Sequence, residues 1–256
     1  MTPLMQWLWI APMMAALMLW AWSWQLRRAN AGIVDVAWAA GMGIAAGFIA
    51  ATGQGAVAPR LALALLAGLW SARLAGHLWR RVRIEEDGRY RALREHWQGH
   101  QGKFLIFFIF QAGLVLLFCL PFLAVGANPA SATAALAVGL SIWLFALGGE
   151  AVADRQLARF RADPANHGLT CQTGLWRYSR HPNYFFEWCH WFCYVALAWG
   201  SPLGWLAWLG PVLMYVFLRW VSGIPFTEQQ ALRTRGAHYR DYQRRTPIFF
   251  PWFPKL

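Results

Sequence analysis

Charge is what this chain has least of. Only 13% of its 256 residues are Asp, Glu, Lys or Arg, too few to cover the surface of a soluble domain of that size. Acidic residues are scarcer than basic ones, 11 against 23, and only Lys103 and Lys255 among the cations are lysines. Cysteine is sparse too. Cys119, Cys189 and Cys193 fall in apolar stretches and Cys171 in a loop, a pattern that excludes a disulfide-stapled secreted domain. Cys189, His190 and Cys193 share a helical face but sit among aromatics, so packing accounts for them and no metal is expected. No repeat, linker or composition break divides the chain, and a single integral membrane domain, 1–256, is expected.

What the chain has instead is apolar length. It is 58% hydrophobic, with 18 tryptophans and a mean hydropathy of +0.33. Stretches near 20 residues recur, each long enough to cross a bilayer, and too long and uniformly apolar for barrel strands. The expected fold is all-α: a polytopic membrane helix bundle of about seven spans, at residues 4–24, 31–51, 61–79, 104–125, 132–153, 182–199 and 203–221, with a tail at 222–256. The first stretch lacks a basic leader and is followed by Arg27 and Arg28, so it reads as a span rather than a signal peptide. The net charge of +12 does not indicate a nucleic-acid partner. Only Arg60 lies in the loops of one side, Arg73 and Arg219 lie within spans, and the other twenty cations fall on the opposite side. That asymmetry puts the N-terminus outside and the C-terminus in the cytoplasm. A bacterial inner membrane is the expected location, with the functional groups on the cytoplasmic face.

The polar residues concentrate in few places. Gly174-Leu-Trp-Arg-Tyr-Ser-Arg-His-Pro-Asn-Tyr-Phe-Phe-Glu187 packs Arg177, Tyr178, Arg180, His181, Asn183, Tyr184 and Glu187 against the start of an apolar segment. Pro182 suits the first turn of a helix, and cations before a helix N-terminus make an anion-binding mouth. Asn183 and Glu187, four apart, share a helical face and together offer the donor and acceptor that a carboxamide needs; an ordinary N-terminal cap at Asn183 is the alternative. Asp35, Arg73, Glu150, Glu187 and Arg219 lie at membrane depth, where a charge costs about 2.5–3.5 kcal/mol on insertion scales and so has a partner or a task. Structural pairing, Asp35 with Arg73 or Glu187 with Arg219, is one account; convergence on a functional cleft is the other. Asp154, Arg155, Arg159 and Arg161 follow the fifth span, and Glu228, Tyr242 and Arg245 lie in a tail patterned to fold back over the cytoplasmic opening. Gly41, Gly43 and Gly47 read as close helix packing, since no strand precedes them.

The stretch 174–187 resembles the signature of the DUF1295 family within the steroid 5α-reductase superfamily. Val34-Asp35-Val-Ala-Trp38, Arg73-Leu-Ala-Gly-His77, Glu86-Asp87-Gly-Arg89-Tyr90 and Tyr242-Gln-Arg-Arg-Thr246 agree with it. The resemblance implies a seven-helix membrane enzyme that uses NADPH to reduce a carbon–carbon double bond conjugated to a carbonyl in a lipid-soluble substrate entering from the bilayer. By position it implies Asn183 and Glu187 for the nicotinamide carboxamide and Asp154 and Arg161 for the adenosine and phosphates. Arg177, Tyr178, Arg180, His181, Glu228, Tyr242 and Arg245 join them as cofactor-binding candidates, and Asp35, Arg73 and Tyr184 are the catalytic ones. The chain departs from the reductases in two places. Span two carries Asp35 where they carry glutamate, and span three has no tyrosine, which leaves Tyr184 and Tyr90 as replacements. The same Arg180-His-Pro-Asn-Tyr184 motif with Glu228 downstream also resembles the isoprenylcysteine and phospholipid methyltransferases, which use S-adenosylmethionine. A non-enzymatic lipid-binding protein is the third reading.

Overall fold

The computed structural model describes residues 1–255, and among them every regular element is helical, with no strand. The chain is thus an all-helical membrane protein. Six stretches are long and apolar enough to cross a bilayer: Pro3–Arg28, Ile33–Thr52, Val57–Val82, Gln101–Gly126, Thr133–Ala162 and the apolar part of Gly204–Arg245. The stretch expected as a sixth span, 182–199, forms two short helices, α8 and α9 below, with Trp191 between them. The chain divides into two compact units, residues 1–137 with 194–210, and residues 138–193 with 211–256.

Unit 1 is built on α1 (Pro3–Arg28), α2 (Ile33–Thr52), α3 (Val57–Val82), the short polar α4 (Gly88–His96), α5 (Gln101–Phe118), α6 (Leu120–Gly126) and α10 (Gly204–Ala207). Pro3 at the first helical position and the Thr2 hydroxyl, which accepts from the Met5 amide at 3.3 Å, start α1. Small residues on α2 let α3 come close. The Ser71 hydroxyl donates to the Ala39 carbonyl at 2.6 Å, and a Cβ at Gly43 would lie 2.3 Å from that hydroxyl, so the contact requires glycine. At the other end, Asn128 ties its loop to the carbonyls of Leu197 and Trp199 at 2.8 and 3.0 Å.

Polar side chains close the α4 end of this unit. Glu86 accepts from the Ala31 amide (2.7 Å) and from Arg94 (2.8 and 3.2 Å). Asn30 donates to the Val82 carbonyl at 2.9 Å and accepts from the Gly32 amide at 3.0 Å. The α1–α2 turn is thereby fastened to the end of α3 and to α4, which keeps Asp35, in the first turn of α2, beside the start of α4.

Unit 2 holds most of α7 (Thr133–Ala162), α8 (Pro182–His190), the start of α9 (Phe192–Leu197), most of α11 (Leu209–Val216) and α12 (Ile224–Arg245), with single 3-10 turns at Pro164–Asn166 and Gly174–Arg177. A π-helical turn at Phe217–Val221 follows α11. α12 carries Glu228, Arg233, Arg235, Arg240, Asp241, Arg244 and Arg245. That is too much charge for hydrocarbon, so it lies outside the spans. It kinks at Gly236, whose φ of 51° and ψ of −121° no side chain-bearing residue adopts without strain. α7 and α8 meet at Gly149, where a Cβ would fall 2.2 Å from the Phe186 ring.

Candidate functional site

In unit 2 the segment 174–181 is fixed from both sides before α8 begins. Trp176 donates its indole N–H to the Ala153 carbonyl at 2.9 Å, and the Leu175 amide donates to Gln156 Oε1 at 2.8 Å. From the other side Tyr242 donates its hydroxyl to the carbonyls of Trp176 and Ser179. The Ser179 hydroxyl donates to the Phe249 carbonyl at 2.8 Å, and the Arg180 amide to that of Pro247 at 2.9 Å. The tail after α12 is therefore laid along the 176–181 backbone.

Arg180 is the centre of this arrangement. Its Nε and Nη2 donate to the two oxygens of Glu228 at 2.6 and 3.2 Å, and Nη1 donates to the carbonyls of Gln243 and Thr246 at 2.9 and 2.8 Å. Glu228 also takes Tyr239 Oη at 3.1 Å and Gln243 Nε2 at 2.6 Å, and lies 3.2 Å from His181 Nε2. Burial alone would raise the Glu228 pKa, but the hydrogen bonds from His181 and Arg180 and the Arg180 charge outweigh it and hold the carboxyl at about 2. Burial lowers the His181 pKa despite its contact with Glu228, which favours the neutral ring.

The groups at the mouth of α8 are more accessible. Asn183 donates from Nδ2 to Asp154 Oδ1 at 3.3 Å and accepts the Tyr184 amide on Oδ1 at 3.0 Å. One N–H and one lone pair of its carboxamide are still available. Tyr184 stacks on His181, with centroids 5.5 Å apart and planes at 8°, and its hydroxyl lies 3.4 Å from Thr227 Oγ1. Asp154, Asn183, Tyr184 and Glu187 are all half-buried, whereas Arg161, Arg177 and Tyr178 are exposed. Arg245 is exposed and paired with Asp241.

Unit 1 carries a second cluster, around Asp35. Tyr90 donates its hydroxyl to Asp35 Oδ1 at 2.6 Å and Arg89 Nη2 to Asp35 Oδ2 at 2.9 Å. Arg89 also donates from its amide and Nε to Asp87 Oδ1 at 3.0 and 3.1 Å, so Asp87 caps α4 and orients the guanidinium together. Burial and the neighbouring Asp35 carboxylate push the Tyr90 pKa well up. Burial works against the Arg89 charge, but Asp35 more than compensates and raises its pKa. Burial likewise opposes the Asp87 charge, yet the Arg89 amide bond and guanidinium leave its pKa lowered. A cavity of about 140 Å³ opens here, with Asp35, Arg89, Asp87, Arg81, Gly32 and Leu78 among its walls. Arg73 lies on α3 in the same unit and is half-buried. Arg89 was not among the site residues read from the sequence; the Glu86-Asp87-Gly-Arg89-Tyr90 motif was the signal for it. No group of His, Cys, Asp and Glu among the described residues is arranged to hold a metal.

A family model described as "Protein of unknown function (DUF1295)" matches residues 21–246, nearly the whole chain. The chain belongs to the DUF1295 family. Both the Asp35 cluster and the Arg180 arrangement lie inside the matched range of this family member. It is also similar to a Schizosaccharomyces pombe protein named "Uncharacterized protein C594.04c", 31% identical over 222 residues, covering 74% of this chain and 62% of the relative. The chain thus spans less than two thirds of that relative's length. No solved structure matches it.

Proposed function

We propose that this chain is an NADPH-dependent membrane reductase of a carbon–carbon double bond conjugated to a carbonyl in a lipid-soluble substrate, steroid-like, isoprenoid or fatty. The observation that carries the reading is the side chain of Asn183. It is fixed by Asp154 and still has one donor and one acceptor available at the mouth of α8, which fits a nicotinamide carboxamide, with Glu187 one turn further on. Exposed Arg161 and Arg177 suit phosphate groups. NADPH, when bound, would supply the hydride. The chain's own part is to orient the carboxamide through Asn183 and Glu187 and to deliver a proton to the carbonyl oxygen. Unit 2 offers Tyr184 for that proton; unit 1 offers Asp35, with Tyr90 and Arg89 on its two oxygens, and Arg73. Arg180, His181, Tyr242 and Glu228 are engaged within the protein and serve the site as its wall.

The seven-span count, the cytoplasmic C-terminus and the bacterial inner membrane belong to this reading. The methyltransferase alternative is weakened by Glu228, the tail carboxylate it would draw on, since both oxygens are taken by Arg180 and the rest by Tyr239 and Gln243. Equilibrium binding of NADPH and of S-adenosylmethionine to the detergent-purified chain tests the proposal. NADPH binding weakened roughly tenfold in Asn183→Ala supports it, and binding of S-adenosylmethionine alone moves the chain to methyl transfer.

A further inference from the structure

The tail beyond α12 holds two large aromatic rings in the open. Trp252 is 72% and Phe253 73% exposed, among the most exposed rings of the protein. They are not on a loose end. The Trp252 amide donates to the Tyr178 carbonyl at 2.9 Å, and the Lys255 amide to the Arg245 carbonyl at 2.8 Å. Phe253 meets the Tyr178 ring edge-on at 6.0 Å. Fixing two such rings off the protein's own core has no folding benefit of its own, because burying them against it would be favourable.

The residues just before them set their level. Phe249 and Phe250 pack on Trp188 of α8, at 5.9 and 5.5 Å, and on Tyr215 of α11, at 5.2 and 5.8 Å. Trp188 and Tyr215 both belong to apolar stretches, 182–199 and 203–221. Pro251–Pro254 therefore leaves from beside the apolar side chains of α8 and α11 rather than from a wholly polar surface. Around it the last turns of α12 and the tail carry Arg240, Arg244, Arg245 and Lys255 against one acidic side chain, Asp241, which Arg244 and Arg245 share, and the Arg244 side chain, 3.0 Å from Asp241, is still 78% exposed. Tryptophan and phenylalanine beside a basic cluster suit the headgroup layer of an anionic bilayer: the rings sit at the acyl boundary and the cations on phosphates. A second protein surface would not require the cations.

We infer that the Trp252–Phe253 pair is an interfacial anchor that seats the C-terminal tail in the headgroup layer of anionic lipids, with Arg244 and Lys255 as its electrostatic contacts. The inference is independent of the reaction the chain performs. It is tested on the full-length chain with its four cysteines replaced, spin-labelled at Phe253→Cys or, for comparison, at exposed Thr234→Cys on α12, in nanodiscs of phosphatidylcholine with or without phosphatidylglycerol. Thermal unfolding first selects labelled protein that is folded. The expected result is a label at position 253 more accessible to oxygen than to a water-soluble nickel chelate, at the headgroup–acyl boundary. It is deeper with phosphatidylglycerol, and the added depth is lost in Arg244→Gln/Lys255→Gln. Nickel accessibility equal to that at position 234, or equal depth in both lipids, would overturn the inference. Spin–spin broadening at position 253 between copies would overturn it in favour of self-association.

Discussion

Removing either partner of the Arg180–Glu228 pair should cost more than removing both. The side chains of Arg180 and Glu228 are 9% and 13% exposed, so the survivor of a single substitution is a charge held away from water. Breaking a buried pair in this way costs about 3–5 kcal/mol. Arg180→Met adds to this by freeing the carbonyls of Gln243 and Thr246, each lost bond worth about 0.5–1.5 kcal/mol. Glu228→Met leaves those carbonyls bonded to Arg180 and should fall at the lower end. In Arg180→Met/Glu228→Met no charge is stranded, and replacing a buried ion pair with apolar groups of similar volume is often neutral or better. The double variant should therefore be more stable than Arg180→Met by about 2 kcal/mol or more. Thermal unfolding in one detergent, followed by tryptophan fluorescence, measures all four proteins. The expected order is wild type, then the double variant, then the singles. A double variant at the sum of the two single losses would mean that the charges do not see each other, and would refute the reasoning.

Further expectations follow from other contacts. Glu228 has its pKa depressed to about 2 from 4.5, so its contribution to stability is complete above pH 4.5 and is lost as pH falls toward 2; Glu228→Gln should flatten that acid limb, read as the melting temperature against pH. Gly149→Leu would drive side-chain atoms into the Phe186 ring and should destabilise by about 1–3 kcal/mol in the same unfolding assay, whereas Gly148→Leu, where no neighbour lies within 4 Å, should cost much less. Asn183→Ala should weaken NADPH binding by roughly tenfold, about 1.4 kcal/mol for one lost polar contact pair, without moving the melting temperature by more than a few degrees. Tyr184→Phe should lower turnover more than NADPH affinity if Tyr184 delivers the proton; a turnover loss confined to Tyr90→Phe would assign that task to the Asp35 couple instead.

Much of this architecture was readable from the amino-acid order, for physical reasons. Apolar runs near 20 residues can do little else than span a bilayer as helices, and Pro182 marks the start of α8 because its missing N–H suits a first turn. The 182–199 stretch reads as one helix, and Trp191 between α8 and α9 keeps helical angles, φ −65° and ψ −22°, with the helical run ending at Leu197. Asp35 stood out as a carboxylate at membrane depth, yet Arg89 and Tyr90 lie 54 and 55 positions away, and no periodicity links positions on separate elements. Glu228 reads from the sequence as a cofactor-binding candidate in the tail, whereas its carboxylate is engaged within the protein. Two of its four partners, Tyr239 and Gln243, come back beside it across the α12 kink at Gly236, and the other two, Arg180 and His181, come from the segment before α8. The small volume at Gly149 gave no signal at all, since a glycine in an apolar helix looks the same whether or not a ring packs against it.

The central claim, a nicotinamide-dinucleotide site at the mouth of α8, is tested most directly by titrating the purified chain and its Asn183→Ala variant with NADPH and with S-adenosylmethionine. The account predicts saturable NADPH binding to the native chain, weaker binding of NADH, and a roughly tenfold loss in the variant. Saturable binding of S-adenosylmethionine without NADPH, or NADPH binding indifferent to Asn183, would contradict it.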